Sequence, residues 1–306
     1  MKTYDVLGLG IGTIDDLTYV ERFPPSNTKV PALSRERHCG GLTMTALVAA
    51  ARLGAQCAYA GQLGHDPDSQ VVLAAMQREQ IDTSHVVVLP NARPVVSTII
   101  VGEAEGTRNI FPLHSPVEGA HATLPEAEVI RAAKVLFVDH IGIEGQTRAA
   151  CISREAGRDV VGDIENKSVL EHRELFDRVN HLIMSEEFAA LATGSADPVE
   201  AVRRLFSASR SLVAVTRGPL GCWFQFDEAH GVLHQPAFPV EVVDTTGCGD
   251  VFHGAYAAAL ALGLPPAERI RFASAAAALK ATRRGGQAGA PTRAQLDAFL
   301  NRARDT

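Results

Sequence analysis

Short apolar runs and helical segments alternate along most of the chain. Runs suited to buried strands lie at 6–9, 58–60, 86–89, 135–138, 159–162, 181–184 and 212–216, and helices are predicted over 43–53, 69–79, 145–155 and 198–209. Strands that are apolar on both faces are typical of parallel sheets covered by helices. The pattern therefore predicts an α/β fold with a largely parallel central sheet flanked by helices.

Two stretches interrupt this alternation, at about 16–39 and 94–114. The first is polar and contains Pro24 and Pro25, and the second contains an extended run at 95–101. No internal repeat or low-complexity linker divides the sequence. We predict a single α/β domain over 1–306, in which the two stretches form a small β-sheet lid.

Composition excludes several classes of protein. The 306 residues are 46% apolar and carry a formal net charge of -6, without a basic stripe of the kind that binds nucleic acid. No apolar run approaches the roughly 20 residues that span a bilayer, and no signal core is present, so we expect no membrane partner and a cytoplasmic protein. Five scattered cysteines without a C-x-x-C pair predict reduced thiols.

The segment 242–254, VVDTTGCGDVFHG, carries the clearest chemical pattern. It predicts a strand end, a turn containing Gly247 and Gly249, and a helix that continues to about residue 262. The free amides and the positive dipole end of that helix suit a phosphoryl group. Asp250, in the same first turn, could accept the proton of an attacking hydroxyl. The same residue types also cap ordinary core helices, so spacing alone leaves both interpretations open.

The sequence DTTGCGDVFHG resembles the D-T-x-G-A-G-D signature of the ribokinase/PfkB carbohydrate kinase family. CGGLTMTA at 39–46, followed by AAARLG at 49–54, resembles the family's G-G-x-x-x-N and A-A-x-L-G segment. The resemblance implies a ribokinase-like fold, Asp250 as catalytic base, and an anion cradle formed by the backbone amides of Gly247, Cys248 and Gly249. The sequence looks closest to the branch of sulfofructose and ketohexose kinases.

The resemblance also assigns the sugar site. It implies that Asp15 accepts hydrogen bonds from two sugar hydroxyls and that the backbone of Gly40 and Gly41 meets others. Further candidates for substrate contacts are Thr45, Lys29, Asn109 and His140, with Arg108 beside Asn109. Lys29 could pair with an anionic substituent. The alternative for Asp15 is an exposed loop carboxylate, and each lid residue could equally be a solvated surface group.

Nucleotide and cation sites follow from the same resemblance. The run 213–221 resembles the strand and T-x-G-x-x-G turn that meets ATP, which assigns Thr216, Gly218 and Gly221, whereas an ordinary hairpin turn is the alternative. Ala277 lies in a helix of small residues that could accept adenine or simply pack closely. The cofactors implied are ATP, Mg²⁺ and possibly K⁺, with the monovalent cation near Asp244, Thr246 and Gly286.

Three positions depart from the family pattern. Thr45 replaces an asparagine, and Cys248 replaces the alanine of the cradle. Where the family has N-x-x-E, this chain has Ser185-Glu186-Glu187-Phe188, so Ser185 is the nucleotide-side candidate and the acid that organises magnesium is displaced or absent.

The expected function is ATP-dependent phosphorylation of a small sugar, ketose-like or anionic, by a homodimer. A nucleoside kinase and a non-catalytic sugar-binding regulator are the alternatives. A Rossmann dehydrogenase is disfavoured because the glycines at 8, 10 and 12 are followed by Thr13 where the fingerprint needs a later glycine.

Overall fold

The computed structural model describes residues 2–105, 107–171 and 173–303. The predicted domain also includes Met1, Gly106, His172 and 304–306, which lie outside the described residues. Strands and helices are numbered in chain order. The main sheet has the order β14-β13-β12-β11-β10-β9-β1-β4. Its strands are β1 (Tyr4–Leu9), β4 (Cys57–Tyr59), β9 (Ala133–Val138), β10 (Asp159–Asp163), β11 (His181–Ser185), β12 (Leu212–Thr216), β13 (Cys222–Gln225) and β14 (Leu233–Gln235).

The largely parallel sheet predicted from the apolar runs is confirmed. Strands β4, β1, β9, β10, β11 and β12 run parallel, and β13 and β14 extend the sheet as an antiparallel edge. The run predicted at 86–89 is a strand only at Val87–Val88 (β6), which pairs with Gln62–Leu63 (β5) in a separate small sheet. The carboxyl ends of the parallel strands share one edge, where ligands of such sheets bind.

Helices cover both faces of the sheet and bury two apolar cores. The longer ones are α1 (Leu42–Arg52), α2 (Pro67–Arg78), α4 (Ile143–Glu155), α9 (Cys248–Ala261), α10 (Pro266–Ala281) and α12 (Arg293–Arg302). The shorter ones are α3 (Ala127–Arg131), α5 (Lys167–Glu171), α6 (Arg173–Arg178), α7 (Glu186–Thr193), α8 (Pro198–Leu205) and α11 (Gly286–Gly289). Helix α8 ends earlier than predicted, and among the described residues no helix is both long and apolar enough to cross a membrane.

The central helix α9 packs directly against α1. A side chain at Gly254 would put its Cβ 2.0 Å from the carbonyl oxygen of Ala46. All residues from Val251 to Leu260 are buried, so α9 is enclosed on nearly all sides after its first turn. The fold therefore exposes only the start of α9.

A second, four-stranded sheet forms the predicted lid. Its order is β3-β2-β7-β8, with β2 (Thr13–Val20), β3 (Ser34–Gly40), β7 (Val95–Gly102) and β8 (Thr107–Leu113). Strand β2 runs parallel to β7, and the other two pairings are antiparallel. Because β2 begins at Thr13, the lid includes Asp15 as well as the predicted segments.

The strand predicted just before the cradle is wrong. Residues 241–245 form no strand, and Val242 and Val243 are 60% and 54% exposed. The amides of Val243 and Asp244 both donate to the carbonyl oxygen of Ala281, at 2.8 and 3.1 Å. The end of α10 therefore supplies the hydrogen-bond acceptor for these amides that a neighbouring strand would otherwise supply.

Candidate active site

The first turn of α9 lies over the carboxyl edge of the main sheet, since α9 packs against β1, β9 and β10. Gly247 caps the helix with a φ of 74°. A Cβ at this position would lie 2.8 Å from the Cα of Gly286. The left-handed conformation and the close backbone approach both require glycine here.

The backbone amides at this turn are not all available to a ligand. The amide of Cys248 donates to the carbonyl of Thr245 at 3.2 Å. Within the described part of the chain, no backbone carbonyl accepts from the amides of Gly249 and Asp250, and a Cβ at Gly249 would meet open space. Free first-turn amides beside open space suit a phosphoryl group. Of the amides predicted to form the cradle, that of Cys248 is therefore occupied, whereas those of Gly249 and the following Asp250 remain available.

The Cys248 side chain points to α10, where Sγ lies 3.6 Å from the carbonyl oxygen of Ala277. Burial raises the pKa of the thiol to about 11. A thiol with that pKa is protonated at neutral pH and is a poor nucleophile. Cys248 therefore acts through its packing and its backbone.

Asp250 forms an acid pair with Asp163, a residue that the sequence analysis did not select. Asp163 ends β10, is 1% exposed and lies close enough to Asp250 for its charge to act on the Asp250 carboxyl. Burial raises the pKa of Asp250 well above its ordinary value, and the Asp163 charge raises it further. Burial and the nearby Glu165 carboxylate also raise the pKa of Asp163. A carboxylate with a raised pKa is a stronger proton acceptor.

His253 lies one helical turn beyond Asp250 and is 4% exposed. Its Nδ1 is 2.9 Å from the Gly249 carbonyl oxygen and 3.5 Å from Asp163 Oδ2, and its Nε2 is 3.2 Å from the Ile183 carbonyl oxygen. These contacts join the start of α9 to β10 and β11. They fix the position of the acid pair relative to the sheet.

Asp244 connects the loop before α9 to the loop after α10. Its Oδ1 accepts from the Thr246 amide and its Oδ2 from the Gly285 amide, each at 2.8 Å. Burial raises the pKa of Asp244, but these hydrogen bonds and the charge of Lys280 outweigh burial and leave the pKa below its ordinary value. Asp244, Thr246 and Gly286 are thus brought together as predicted, with Lys280 as an unpredicted neighbour.

Asp15 lies on β2 with His38 and Ser97 on the adjacent strands. Burial raises its pKa, an effect that hydrogen bonds from Thr13 and Ser97 partly offset. A Cβ at Gly40 would come within 2.3 Å of Asp15 Oδ2. Gly40 is therefore needed beside this carboxylate, which is half-buried and not a solvated loop acid.

One cavity joins the two halves of the site. Its walls include Asp15, Gly40, Gly41 and Thr45 on one side, and Asp244, Thr246, Gly247, Asp250 and Gly286 on the other. Thr45 is 2% exposed, and Gln287 Nε2 lies 3.4 Å from both Thr45 Oγ1 and the Gly40 carbonyl oxygen. Gln287, which the sequence did not single out, thus links the loop after α10 to the sugar-side glycines.

Four candidates for substrate contacts do not line this cavity: Lys29, Arg108, Asn109 and His140. Lys29 is exposed in the loop between β2 and β3, and His140 follows β9 with Nδ1 buried and without a partner among the described residues. Of these four, Arg108 reaches the cavity wall indirectly, since its Nη1 donates to Thr246 Oγ1 at 2.8 Å. Neighbouring residues of a strand face opposite sides, so when Arg108 on β8 reaches the cradle loop, Asn109 faces away from it.

The predicted nucleotide-side residues lie at the same sheet edge. Ser185 and Thr216 end the adjacent strands β11 and β12 and are paired in register. Gly218 and Gly221, with φ of 50° and 94°, border the turn that joins β12 to antiparallel β13. The turn is therefore a hairpin connection, and its position at the carboxyl edge is compatible with ATP. Ala277 approaches the cradle helix through its contact with Cys248.

The acid of the N-x-x-E pattern has no equivalent at its usual place. Ser185 caps α7, Glu186 pairs with Arg217, and Phe188 is 3% exposed within the core. Across residues 2–105, 107–171 and 173–303, no group of three or more His, Cys, Asp or Glu side chains could hold a metal ion alone. However, Asp163 Oδ2 is buried without a hydrogen-bond partner among those residues. Mg²⁺ sites that use one or two carboxylates plus substrate phosphates fit such a group.

Asp139 is a further residue that the sequence did not reveal. This fully buried carboxylate accepts from the amides of Ile11 and Ile141 at 2.8 Å, from Thr43 Oγ1 at 2.8 Å and from Gln146 Nε2 at 2.9 Å. It fixes the turn after β1 that leads to Asp15. An acid directly after the apolar run 135–138 was the available signal.

Comparisons with known proteins show which family this chain is similar to. The model of the pfkB family carbohydrate kinases matches residues 5–293. The ribokinase of Haemophilus influenzae is 29% identical over 276 residues, covering 86% of this chain and 88% of the relative, and fructokinase-1 of Zea mays is 27% identical over 290 residues, covering 86% and 88%. The ribokinase of Arabidopsis thaliana complexed with ribose and ATP superposes with a TM-score of 0.87 at 22% identity, covering 98% of this chain and 99% of that one.

Proposed function

Since the chain belongs to the pfkB family of carbohydrate kinases, and is thus an ATP-dependent sugar phosphotransferase, we propose that Asp250 is its catalytic base. Asp250 takes the proton of a sugar hydroxyl, whose oxygen forms a bond to the γ-phosphorus of ATP as the bond to ADP breaks. The amides of Gly247, Gly249 and Asp250 receive the developing negative charge, with a smaller part for Cys248. The observation that carries this proposal is the single cavity bounded by Asp15 and Asp250.

ATP extends from this cradle along the ends of β11 and β12, past Ser185 and Thr216, with Gly218, Gly221 and Ala277 farther along. Mg²⁺ would be held by the ATP phosphates and by the Asp163 and Glu165 carboxylates, and it supplies neutralising charge when bound. Arg108 adds a positive charge from the lid beside Thr246. A cation at this position favours phosphoryl transfer because negative charge develops there.

The substrate is a small ketose-like sugar or an anionic sugar derivative. Asp15 accepts hydrogen bonds from its hydroxyls, while the backbone of Gly40 and Gly41 and the side chain of Thr45 provide further contacts. An anionic substituent would be met by Arg108, because its guanidinium hydrogen-bonds Thr246 in the cavity wall, whereas Lys29 is exposed in the loop between β2 and β3. Nucleosides belong in the same experimental panel because ribose presents similar hydroxyls.

The active form is a homodimer in the cytoplasm. The lid ends in the edge strand β8, whose Ile110, Phe111 and Leu113 are 50%, 55% and 74% exposed. A second copy of this chain would cover these side chains and pair with the free strand edge. The five cysteines are all free thiols, which favours a reducing compartment.

A substrate panel with an Asp15→Asn variant tests the sugar site. ATP consumption is measured with neutral sugars, sugar acids, sulfosugars and nucleosides. For the substrate found, Asp15→Asn should raise the sugar KM by about 10- to 100-fold with little change in the ATP KM, because only sugar hydrogen bonds are weakened. Asp16→Asn is the matched control, since Asp16 is 41% exposed and pairs with Arg37. If only the ATP KM changed, Asp15 would belong to the nucleotide site and not to the sugar site.

A further inference from the structure

Lys280 is a fully buried cation beside the cradle. It lies one residue before the end of α10 and is 0% exposed. Its Nζ donates to the carbonyl oxygens of Asp244 and Arg283, at 2.6 and 3.3 Å, and lies 3.5 Å from Asp244 Oδ2. An ammonium group has three donors and no acceptor, so these three oxygens match it. A charge is buried at this depth only where such partners compensate it.

The ammonium supports the two loops that form the cradle. Asp244, its carboxylate partner, holds the amides of Thr246 and Gly285. Gly247 and Gly286 are the next residues of these two loops, and their backbones are in contact. Without a positive charge, the Asp244 carboxylate would be partly buried and unpaired. Lys280 therefore acts on the cradle through Asp244, without lining the cavity itself.

The residues do not fit the monovalent cation that the family resemblance implied. That ion was expected at Asp244, Thr246 and Gly286, but the Asp244 carbonyl already accepts from the Lys280 ammonium. The loop after α10 also closes on the lysine, since a Cβ at Gly289 would lie 3.1 Å from Lys280 Cε. A second cation on the same oxygen would be repelled by the first.

We propose that the Lys280 ammonium is a tethered monovalent cation that positions the cradle loops, and that this kinase consequently needs no added K⁺. Lys280 is a positioning residue because it touches neither the sugar site nor the nucleotide-side residues. The inference rests on the proposed function, since the loops it orders are those assigned to phosphoryl transfer. It makes Lys280 a requirement for activity, which the family resemblance does not imply.

The test compares the wild type with Lys280→Ala, Lys280→Met and the surface control Lys134→Met, whose lysine is 58% exposed. Turnover is measured at constant ionic strength in tetramethylammonium, Na⁺, K⁺ or NH₄⁺ chloride. The wild type and the control should be equally active in every salt. Lys280→Ala should lose about 10²-fold in kcat in tetramethylammonium, as misplaced catalytic groups do, and regain much of it with K⁺ or NH₄⁺. Lys280→Met should lose activity without rescue, because its side chain fills the space.

Melting temperature provides a second readout that needs no turnover. K⁺ should raise the melting temperature of Lys280→Ala relative to tetramethylammonium and leave that of the wild type unchanged. If the chain phosphorylates no sugar but its melting temperatures respond to K⁺ as described, the proposed function would be wrong and the inference about Lys280 would stand. Activation of the wild type by K⁺ would overturn the inference, even if no variant folds. The inference would also be overturned if Lys280→Met were active while K⁺ failed to restore activity to Lys280→Ala, because that result would mean that Lys280 acts only through packing.

Discussion

At the scale of residues, the pairing of Asp163 with Asp250 determines how the site responds to pH. As the proposed base, Asp250 accepts a proton only when ionised, and because its pKa is raised we expect activity to be lost as pH falls through a value well above that of an ordinary aspartate. At a Mg²⁺ concentration that saturates each variant, since Asp163 is also a proposed Mg²⁺ ligand, Asp163→Asn removes the neighbouring negative charge and should move the acid limb of the kcat/KM profile to lower pH. Asp297→Asn, at a carboxylate that is 48% exposed, is the control and should leave the limb in place. An unmoved limb in Asp163→Asn would mean that the two acids do not interact during catalysis.

At the scale of elements, the lid edge β8 determines the predicted assembly. Phe111→Lys places a charge on this apolar edge and should convert the proposed dimer to a monomer, as sedimentation would show. Leu191→Lys, on α7 and 52% exposed in the parent, is the matched control and should remain dimeric. A wild type that sediments as a monomer, or a Phe111→Lys variant that stays dimeric, would exclude this edge as the interface.

The elements themselves were predictable to different degrees. The runs at 135–138 and 212–216 became β9 and β12 because strands buried on both faces have an unambiguous apolar pattern. The strand expected at 242–243 was wrong because two adjacent valines do not reveal that the end of α10 accepts the amides of Val243 and Asp244. Elements defined by their own composition were predictable, whereas those defined by a distant partner were not.

At the scale of the whole molecule, the site gathers residues that are far apart in the sequence. Asp15 and Asp250 could be selected because each belongs to a recognisable local motif. Asp163 and Lys280 could not, since an aspartate or a lysine near a strand or helix end is usually a surface residue, and their roles depend on burial. Arg108 was named only as a possible substrate contact, and its hydrogen bond to Thr246 is created by the fold.

The most direct test of the account is single-turnover phosphoryl transfer by Asp250→Asn, with ATP binding and melting temperature measured on the same sample. Burial raises the folded-state pKa of Asp250 above its unfolded value. The Asp250 carboxyl therefore contributes its full stabilisation of the folded state below the unfolded pKa. This contribution is lost as pH rises through the folded pKa. The neutral variant should therefore melt no lower than the wild type at neutral pH. It should bind ATP normally and transfer the phosphoryl group about 10²- to 10⁴-fold more slowly. A folded Asp250→Asn variant that transfers at the wild-type rate would contradict the account.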